Sequence, residues 1–360
     1  MTVGHAIVSG PHAHSRLTVT NTMVMVMICL LPATGMGFYQ FGWPAVLLFA
    51  VTVGSAVGFE ALCLLLARRP LERFLFDGSA VLSGWLLAMT LPPWAPWWVG
   101  AAGSFIAIVI AKQVFGGLGQ NLFNPAMVAR AMLLIALPVQ MTTWVLPEPT
   151  GTAGAPAFHE ALAITFGAAP QIDAFTGAST LGFVTAQLDG GATLDAIMPQ
   201  TFSLHDLFIG RVAGSMGETS ALLLLAGGIL LILTRVITWH IPVSVLGGAA
   251  ALAGALWLAD PSHFPSPAWH LSSGAMMLCA FFIATDYVTS PLTLTGQLIY
   301  GAAIGVLIVL IRTFGSFPEG AAFAVLLMNA CTPLLDHYIR PRIFGRDRKG
   351  KPLGIKGDKA

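Results

Sequence analysis

Charge is the scarcest property of this sequence. Asp, Glu, Lys and Arg make up 9% of its 360 residues, while 56% are hydrophobic. Soluble domains carry about 25% charged residues. So thin a supply cannot clothe a water-exposed globule, which leaves the bilayer as the main solvent. Cysteine is scarce too. Cys29, Cys63, Cys279 and Cys331 stand inside apolar runs at unrelated spacings, with no CxxC and no disulfide frame. They read as small buried hydrophobes; a redox role shared with other chains is the alternative. No GxGxxG run is present to cradle a dinucleotide. The first twenty residues lack the apolar stretch of a secretory leader, because His5, His12, His14 and Arg16 keep them polar.

What the sequence does have is long apolar runs. A spanning helix takes about 20 mostly apolar residues. Ten segments read as spans: 22–40, 43–66, 78–95, 97–114 and 124–146, then 219–238, 241–259, 268–288, 296–313 and 320–338. The expected fold class is an all-α polytopic membrane protein with ten transmembrane helices. Arg68, Arg69 and Arg73 crowd the loop after the second segment, and eight of the 17 Lys and Arg lie between Arg340 and Lys359. Basic loops stay cytoplasmic. Residues 1–21 and the basic tail 339–360 are therefore both expected in the cytoplasm, and the long 147–218 segment outside it. That loop holds one basic residue, Arg211, against seven acids: Glu148, Glu160, Asp173, Asp189, Asp195, Asp206 and Glu218.

The two groups of five, 22–146 and 219–338, look alike. Gly78-Ser-Ala-Val-Leu82 with Trp85-Leu-Leu-Ala-Met-Thr90 echoes Gly274-Ala-Met-Met-Leu278 with Phe281-Phe-Ile-Ala-Thr285. Val114-Phe-Gly-Gly117 echoes Thr313-Phe-Gly-Ser316, and Phe123-Asn-Pro-Ala126 faces Met328-Asn-Ala-Cys331. An odd number of spans per repeat makes the repeats inverted, with a functional site expected at their interface near broken helices. Helix breakers occur at Pro92-Pro93, at Gly116 to Gly119 and at Pro291; ordinary membrane-boundary turns are the plainer reading.

Chemistry concentrates in the extracytoplasmic loop, at Asp173-Ala-Phe-Thr-Gly-Ala-Ser-Thr-Leu-Gly182. Gly177 and Ala178 let the chain approach a large planar group closely. Ser179 and Thr180 offer oxygen nucleophiles, which need activation at neutral pH. His159 and His205 are distant in sequence, so a self-contained hydrolase is disfavoured and modification by a separate enzyme is the better reading.

The run resembles the flavin-transferase acceptor motif Asp-x-x-Ser/Thr-Gly-Ala-Ser/Thr, with Asp173, Thr176, Gly177, Ala178 and Ser179 in its positions. Residues from about 20 to 340 resemble the family that contains the D subunit of the Rnf electron-transport complex and, more distantly, the B subunit of the sodium-pumping NADH:quinone oxidoreductase. Other runs carry the likeness: Phe76-Asp-Gly-Ser-Ala80, Gly119-Gln-Asn-Leu-Phe-Asn-Pro-Ala126, Gly214-Ser-Met-Gly-Glu-Thr-Ser220, Phe282-Ile-Ala-Thr-Asp286 and Leu327-Met-Asn329. The resemblance implies FMN esterified through its phosphate to Ser179. The family's usual Thr is replaced there, so Thr180 is the alternative. It also implies a multi-pass inner-membrane subunit of a ferredoxin:NAD oxidoreductase that moves Na⁺ or H⁺. The implied partners are iron–sulfur, NAD-binding and second FMN-bearing subunits and a flavin transferase; no nucleic acid is expected. A urea-transporter-like channel or transporter without redox role is the rival.

Several residues keep two readings. Asn121 and Asn124, with Phe123 between them, suit the edge and face of a flavin, and the resemblance implies flavin binding there, with a non-covalent riboflavin as one form. Helix capping before Pro125 is the alternative. Arg130 inside an apolar run is open to flavin phosphate, a carboxylate or backbone carbonyls as partner. Asp77, Asp286 and Asp336 sit near span ends, and Glu218 and Ser220 near the start of the sixth span, where capping also accounts for them. Trp94, Trp97 and Trp98 read as an interfacial belt.

Overall fold

The structure, a computed structural model, describes residues 18–341 and Gly345, apart from 153, 168–175, 178, 179, 192, 198–202, 316 and 318. Helices occur within all ten expected segments, but they are not ten equal rods. Val19–Leu66 runs as one 48-residue element bent at Gly42, whose φ of 71° and ψ of −159° are not helical. The expected boundary between the first two spans falls at this bend. A left-handed φ there is open to glycine at little cost, and Pro44 follows in the first turn beyond it.

Among the described residues three helices are long and apolar enough to cross a membrane: Val19–Leu66, His240–Ala259 and Leu294–Phe314. Others stop short of the expected segments. Ser79–Thr90 and Pro125–Ala136 have 12 residues each and Ala221–Leu233 has 13. At about 1.5 Å per residue such helices reach roughly 20 Å, against a hydrocarbon thickness of about 30 Å. The stops have local causes. Pro92 and Pro138 disfavour helical backbone at Leu91 and Leu137, whose ψ angles are 152° and 56°. The expected 268–288 span is interrupted. Pro267–Ser272 ends at the extended Ser273, Gly274 is left-handed (φ 62°), and helix resumes from Met276, closing as a π-helix over Cys279–Ile283. A second π-helix, Ile106–Gln113, continues Trp97–Phe105.

Gly78 and Gly274, matched in the repeat, are both left-handed (φ 82° and 62°) and each precedes a short helix. The other matches diverge. Gly116 is left-handed, whereas Gly315 has φ −90°. Asn124 caps a helix start, whereas Asn329 lies within Ala321–Tyr338.

One continuous apolar core joins both halves, from Cys29 and Leu87 to Ile304 and Met328. Apolar side chains also cover the outside: Leu66, Val139, Leu233 and Leu258 are 70–77% exposed, as lipid-facing residues are. A smaller cluster of Leu181, Val184, Leu194, Leu207 and Val212 fastens the 147–218 region onto Trp269.

The His240–Ala259 and Leu294–Phe314 helices touch through small residues. Gly301 and Gly305 form a G-x-x-x-G pair; a Cβ at Gly305 would overlap the Val245 carbonyl, and one at Gly301 the Ser244 hydroxyl. Such pairs let backbones approach in hydrocarbon, where packing replaces the hydrophobic drive between helices. Gly305→Val should therefore cost at least about 1–3 kcal/mol, read as a lower unfolding temperature of the purified protein in detergent. Gly247→Ala on the same interface's outer side, with nothing within 4 Å of the new methyl group, should leave it unchanged; equal effects of the two would refute the assigned contact.

Candidate functional site

The expected site residues fall into two places. The first is under the 147–218 loop. Asp173, Ala178 and Ser179 lie outside the described residues. Thr176–Gly177 forms a short antiparallel strand with Trp144–Val145, Gly177 opposite Trp144 and Val145 opposite Thr176. Thr180 opens the Thr180–Asp189 helix. Its next residue, Leu181, is buried and packs over Gly274. Behind this helix lies a cleft of about 390 Å³, lined by Leu181, Val184, Phe264, Trp269, His270 and Arg312. Mostly apolar walls, one indole and a few polar groups are what a flat heteroaromatic ligand requires.

Arg130 belongs to this end. It is 5% exposed, and its guanidinium stands 5.8 Å from the Trp144 ring centroid, within cation–π range. Trp144 is the strand partner of Gly177, so one side chain stands between Arg130 and the Thr176–Gly177 strand. Arg130 also shares a small cavity with Glu218 and Glu319. The side chain that caps Ala221–Leu233 is Ser220, which accepts from the Leu223 N–H at 3.3 Å. Glu218 lies in the preceding turn, Met216–Glu218, buried and accepting from the Ser215 hydroxyl at 2.8 Å. The expected capping role thus belongs to Ser220 and not to Glu218.

The second place is at the opposite end of the Pro125–Ala136 helix. Asn121 and Asn124 line a cavity with Ser79, Lys112, Thr285 and Asp286. Asn124 Oδ1 accepts from the Ala126 and Met127 amides at 3.1 and 3.3 Å, so the capping reading holds. Its amide also points toward the Ile283 carbonyl at 3.5 Å, across to the π-helix of the other half. Asn121 donates to the Phe123 carbonyl at 3.1 Å. The Phe123 ring is not among the residues lining the cavity, which leaves its expected stacking role without a surface here.

Residues that sequence reading passed over complete this centre. Lys112 and Glu60 are 2% and 3% exposed in their side chains and pair at 3.0 Å. Lys112 also donates to Ser79 Oγ at 2.7 Å, and the Gln113 amide to Glu60 at 2.7 Å. The signal was available: each is a lone charge inside an apolar run, and such residues are functional by default. The π-helix that ends at Gln113 carries Lys112, and π-turns often mark functional sites. Asp77 and Asp286 instead serve their local backbone, and Asp336 that of the distant Leu292. They accept from the amides of Ser79, Val288 and Leu292 at 2.8, 3.2 and 3.0 Å. Among the described residues no His, Cys, Asp and Glu group has metal-site geometry, and the four cysteines are free, with Cys29 and Cys279 buried.

The chain is similar to known proteins over nearly its whole length. The model of the NQR2, RnfD, RnfE family matches residues 6–345. The D subunit of the ion-translocating oxidoreductase complex of Stutzerimonas stutzeri is 52% identical over 338 residues, 94% of this chain and 95% of that protein. The protein of the same description from Halorhodospira halophila is 47% identical over 347 residues, 96% of this chain and 97% of that one. That of Rhodobacter capsulatus is 55% identical over 307 residues, 85% of each.

The buried Lys112–Glu60 pair makes a direct prediction. Removing one partner strands the other's charge, at a cost of about 3–5 kcal/mol. Glu60→Gln or Lys112→Met alone should sharply lower membrane accumulation and unfolding temperature. The Glu60→Gln/Lys112→Met double variant should recover most of the loss; single and double variants that behave alike would show that the two charges do not depend on each other.

Proposed function

The chain belongs to the NQR2, RnfD, RnfE family, and from that membership we propose that it is the D subunit of an ion-translocating oxidoreductase complex. The observation that carries this is the breadth of the likeness: relatives described as that subunit align with it almost end to end at 47–55% identity. It is an enzyme part of a multisubunit translocase and not catalytic alone. The iron–sulfur and NAD chemistry, with a second FMN, belongs to partner subunits.

Its own redox part is FMN, esterified to Ser179, with Thr180 as the alternative, by a separate flavin transferase. Three features of the fold support this. The Thr176–Gly177 strand tethers the acceptor run to Trp144. The helix opening at Thr180 leads directly into an apolar cleft with an indole wall. Arg130 lies one side chain behind the strand, a fixed positive charge beneath an anionic cofactor. When bound, FMN would supply one- and two-electron chemistry; the residues of the chain anchor it and keep its surroundings apolar. A second, non-covalent flavin such as riboflavin is assigned to the cavity at Asn121, Asn124 and Lys112, whose rim offers amides as donors and acceptors and whose volume of about 80 Å³ has to widen to admit it.

The topology is read as ten spans in two inverted five-helix repeats, urea-transporter-like, with both termini cytoplasmic and the 147–218 loop outside. Support comes from the half-length helices and the buried non-helical Leu91–Ala95 stretch. Non-helical backbone is tolerated at membrane depth only where protein covers it or a cavity adjoins it. This architecture also occurs in transporters, and it bears on fold rather than on chemistry. Na⁺ or H⁺ is the ion the complex moves.

Denaturing gels separate the readings. The protein purified from cells containing the transferase should fluoresce as a flavoprotein band under ultraviolet light. The band should vanish in the Ser179→Ala/Thr180→Ala double variant, and the single variants should assign the ester. A dark native band would overturn the covalent flavin.

A further inference from the structure

Four charges from four elements converge between the two halves, beneath the Thr180–Asp189 helix. Arg130 comes from the Pro125–Ala136 helix and Glu218 from the turn Met216–Glu218. Arg312 comes from the last turn of Leu294–Phe314, and Glu319 from the loop before Ala321–Tyr338. Arg130, Glu218 and Arg312 are 5%, 7% and 4% exposed. Arg312 donates to Glu319 at 2.9 Å and to the His270 carbonyl at 3.0 Å. The Ala275 amide also donates to Glu319, at 3.3 Å. Cys279 and the His270 ring complete the titratable surroundings.

The Glu218 and Glu319 carboxyl groups line one small cavity. Two carboxylates so close repel each other, so the pair is held most easily with one group protonated. The supports are unequal. Glu319 has a guanidinium and an amide on its oxygens, whereas Glu218 has only the Ser215 hydroxyl. Glu319 is therefore the anion and Glu218 the acid. A second observation points the same way. Arg130 Nη1 is buried with no hydrogen-bond partner among the described residues, and it faces a cavity of about 10 Å³ shared with both carboxyls, Trp144 and Leu181. That is close to the space one water requires. The cluster therefore brings a carboxyl pair, room for a proton carrier and an unsatisfied donor into one enclosed place.

We propose that Glu218 and Glu319 form a proton-binding site at the interface of the two halves, taking up and releasing one proton on Glu218 through the small cavity below the Trp144–Leu181 rim. With the proton bound, two guanidiniums face one carboxylate and the site carries a net positive charge. With the proton released to water, two carboxylates balance two guanidiniums. No electron moves and no further reactant is needed.

Infrared difference spectroscopy of the purified complex, between acidic and alkaline buffer, tests this. The native protein should show the carbonyl stretch of a protonated carboxylic acid that shifts down in D₂O. Glu218→Gln, which keeps a donor toward Glu319, should abolish that band, and Glu218→Asp should displace it. The Ser179→Ala/Thr180→Ala double variant, which bears on the flavin alone, should retain it, so the flavin reading and the proton site can fail separately. A spectrum in which Glu218→Gln leaves the acid region unchanged overturns the site. Should Glu218→Gln not accumulate, an unmoved band in Glu218→Asp does the same.

Discussion

A peptide group without a partner costs several kcal/mol in hydrocarbon, and the rest of this structure follows from where the chain leaves helix. At Leu91–Ala95, at Ser273–Gly274 and at Leu137 the helical ladder stops short of a full span. Leu91 is 0% and Ala95 4% exposed, so the first gap is covered by protein and not by lipid. Cover comes from both halves. A Cβ on Gly217 would press on the Met89 carbonyl and the Leu278 side chain, which puts the Met216–Glu218 turn between the ends of two short helices. The interruptions thus bring the two halves into contact and enclose the polar groups near them.

Buried charge obeys the same constraint. Each ionised group inside is stable only beside an opposite charge or several donors. Glu60 Oε1 accepts from both Lys112 and Gln113, and Lys112 also donates to Ser79. Arg312 and Glu319 gain from helix ends as well: the cation sits in a last turn and the anion before a first turn, each favoured by the local dipole. Among the described residues Arg130 has neither a direct carboxylate bond nor a helix end. Its compensation is the Trp144 ring and the nearby Glu218 and Glu319 carboxyls, the anion among them.

How far this was legible from sequence depends on the range of the physics involved. Hydropathy is a local property, so the apolar stretches in which helix occurs could be read, and charge counting singled out the 147–218 loop. Breakers are local too; Pro92-Pro93 was visible as a stop. Whether the backbone beyond it is buried depends on distant chain, so a membrane-boundary turn and a covered interruption look identical in sequence. The capping of Asn124 follows from Asn before Pro125, but its reach to the Ile283 carbonyl does not. Arg130, Glu218 and Glu319 come from three separated stretches, and no spacing announces their meeting. Lys112 and Glu60 were missed for a different reason: each is diluted by the apolar run around it, although each alone is costly enough to demand a partner.

The two polar centres share one short helix. Asn124 begins Pro125–Ala136 and Arg130 lies six positions on, a rise of about 9 Å. Asn124 faces the cavity of Ser79 and Lys112, and Arg130 faces the glutamates and Trp144, on the strand that pairs with Gly177. A full-length lipid-facing helix could not bury polar groups at both of these levels. A half-length helix, capped at one end by Asn124 and closed at the other by Leu137-Pro138, is buried over most of its length, with Met132 and Ile135 outward, and can. If the loop above holds one flavin and the Asn121 cavity another, this helix is the shortest covalent path between their surroundings. Its 12 residues would then set how closely the two environments approach, and its burial how dry the space between them stays.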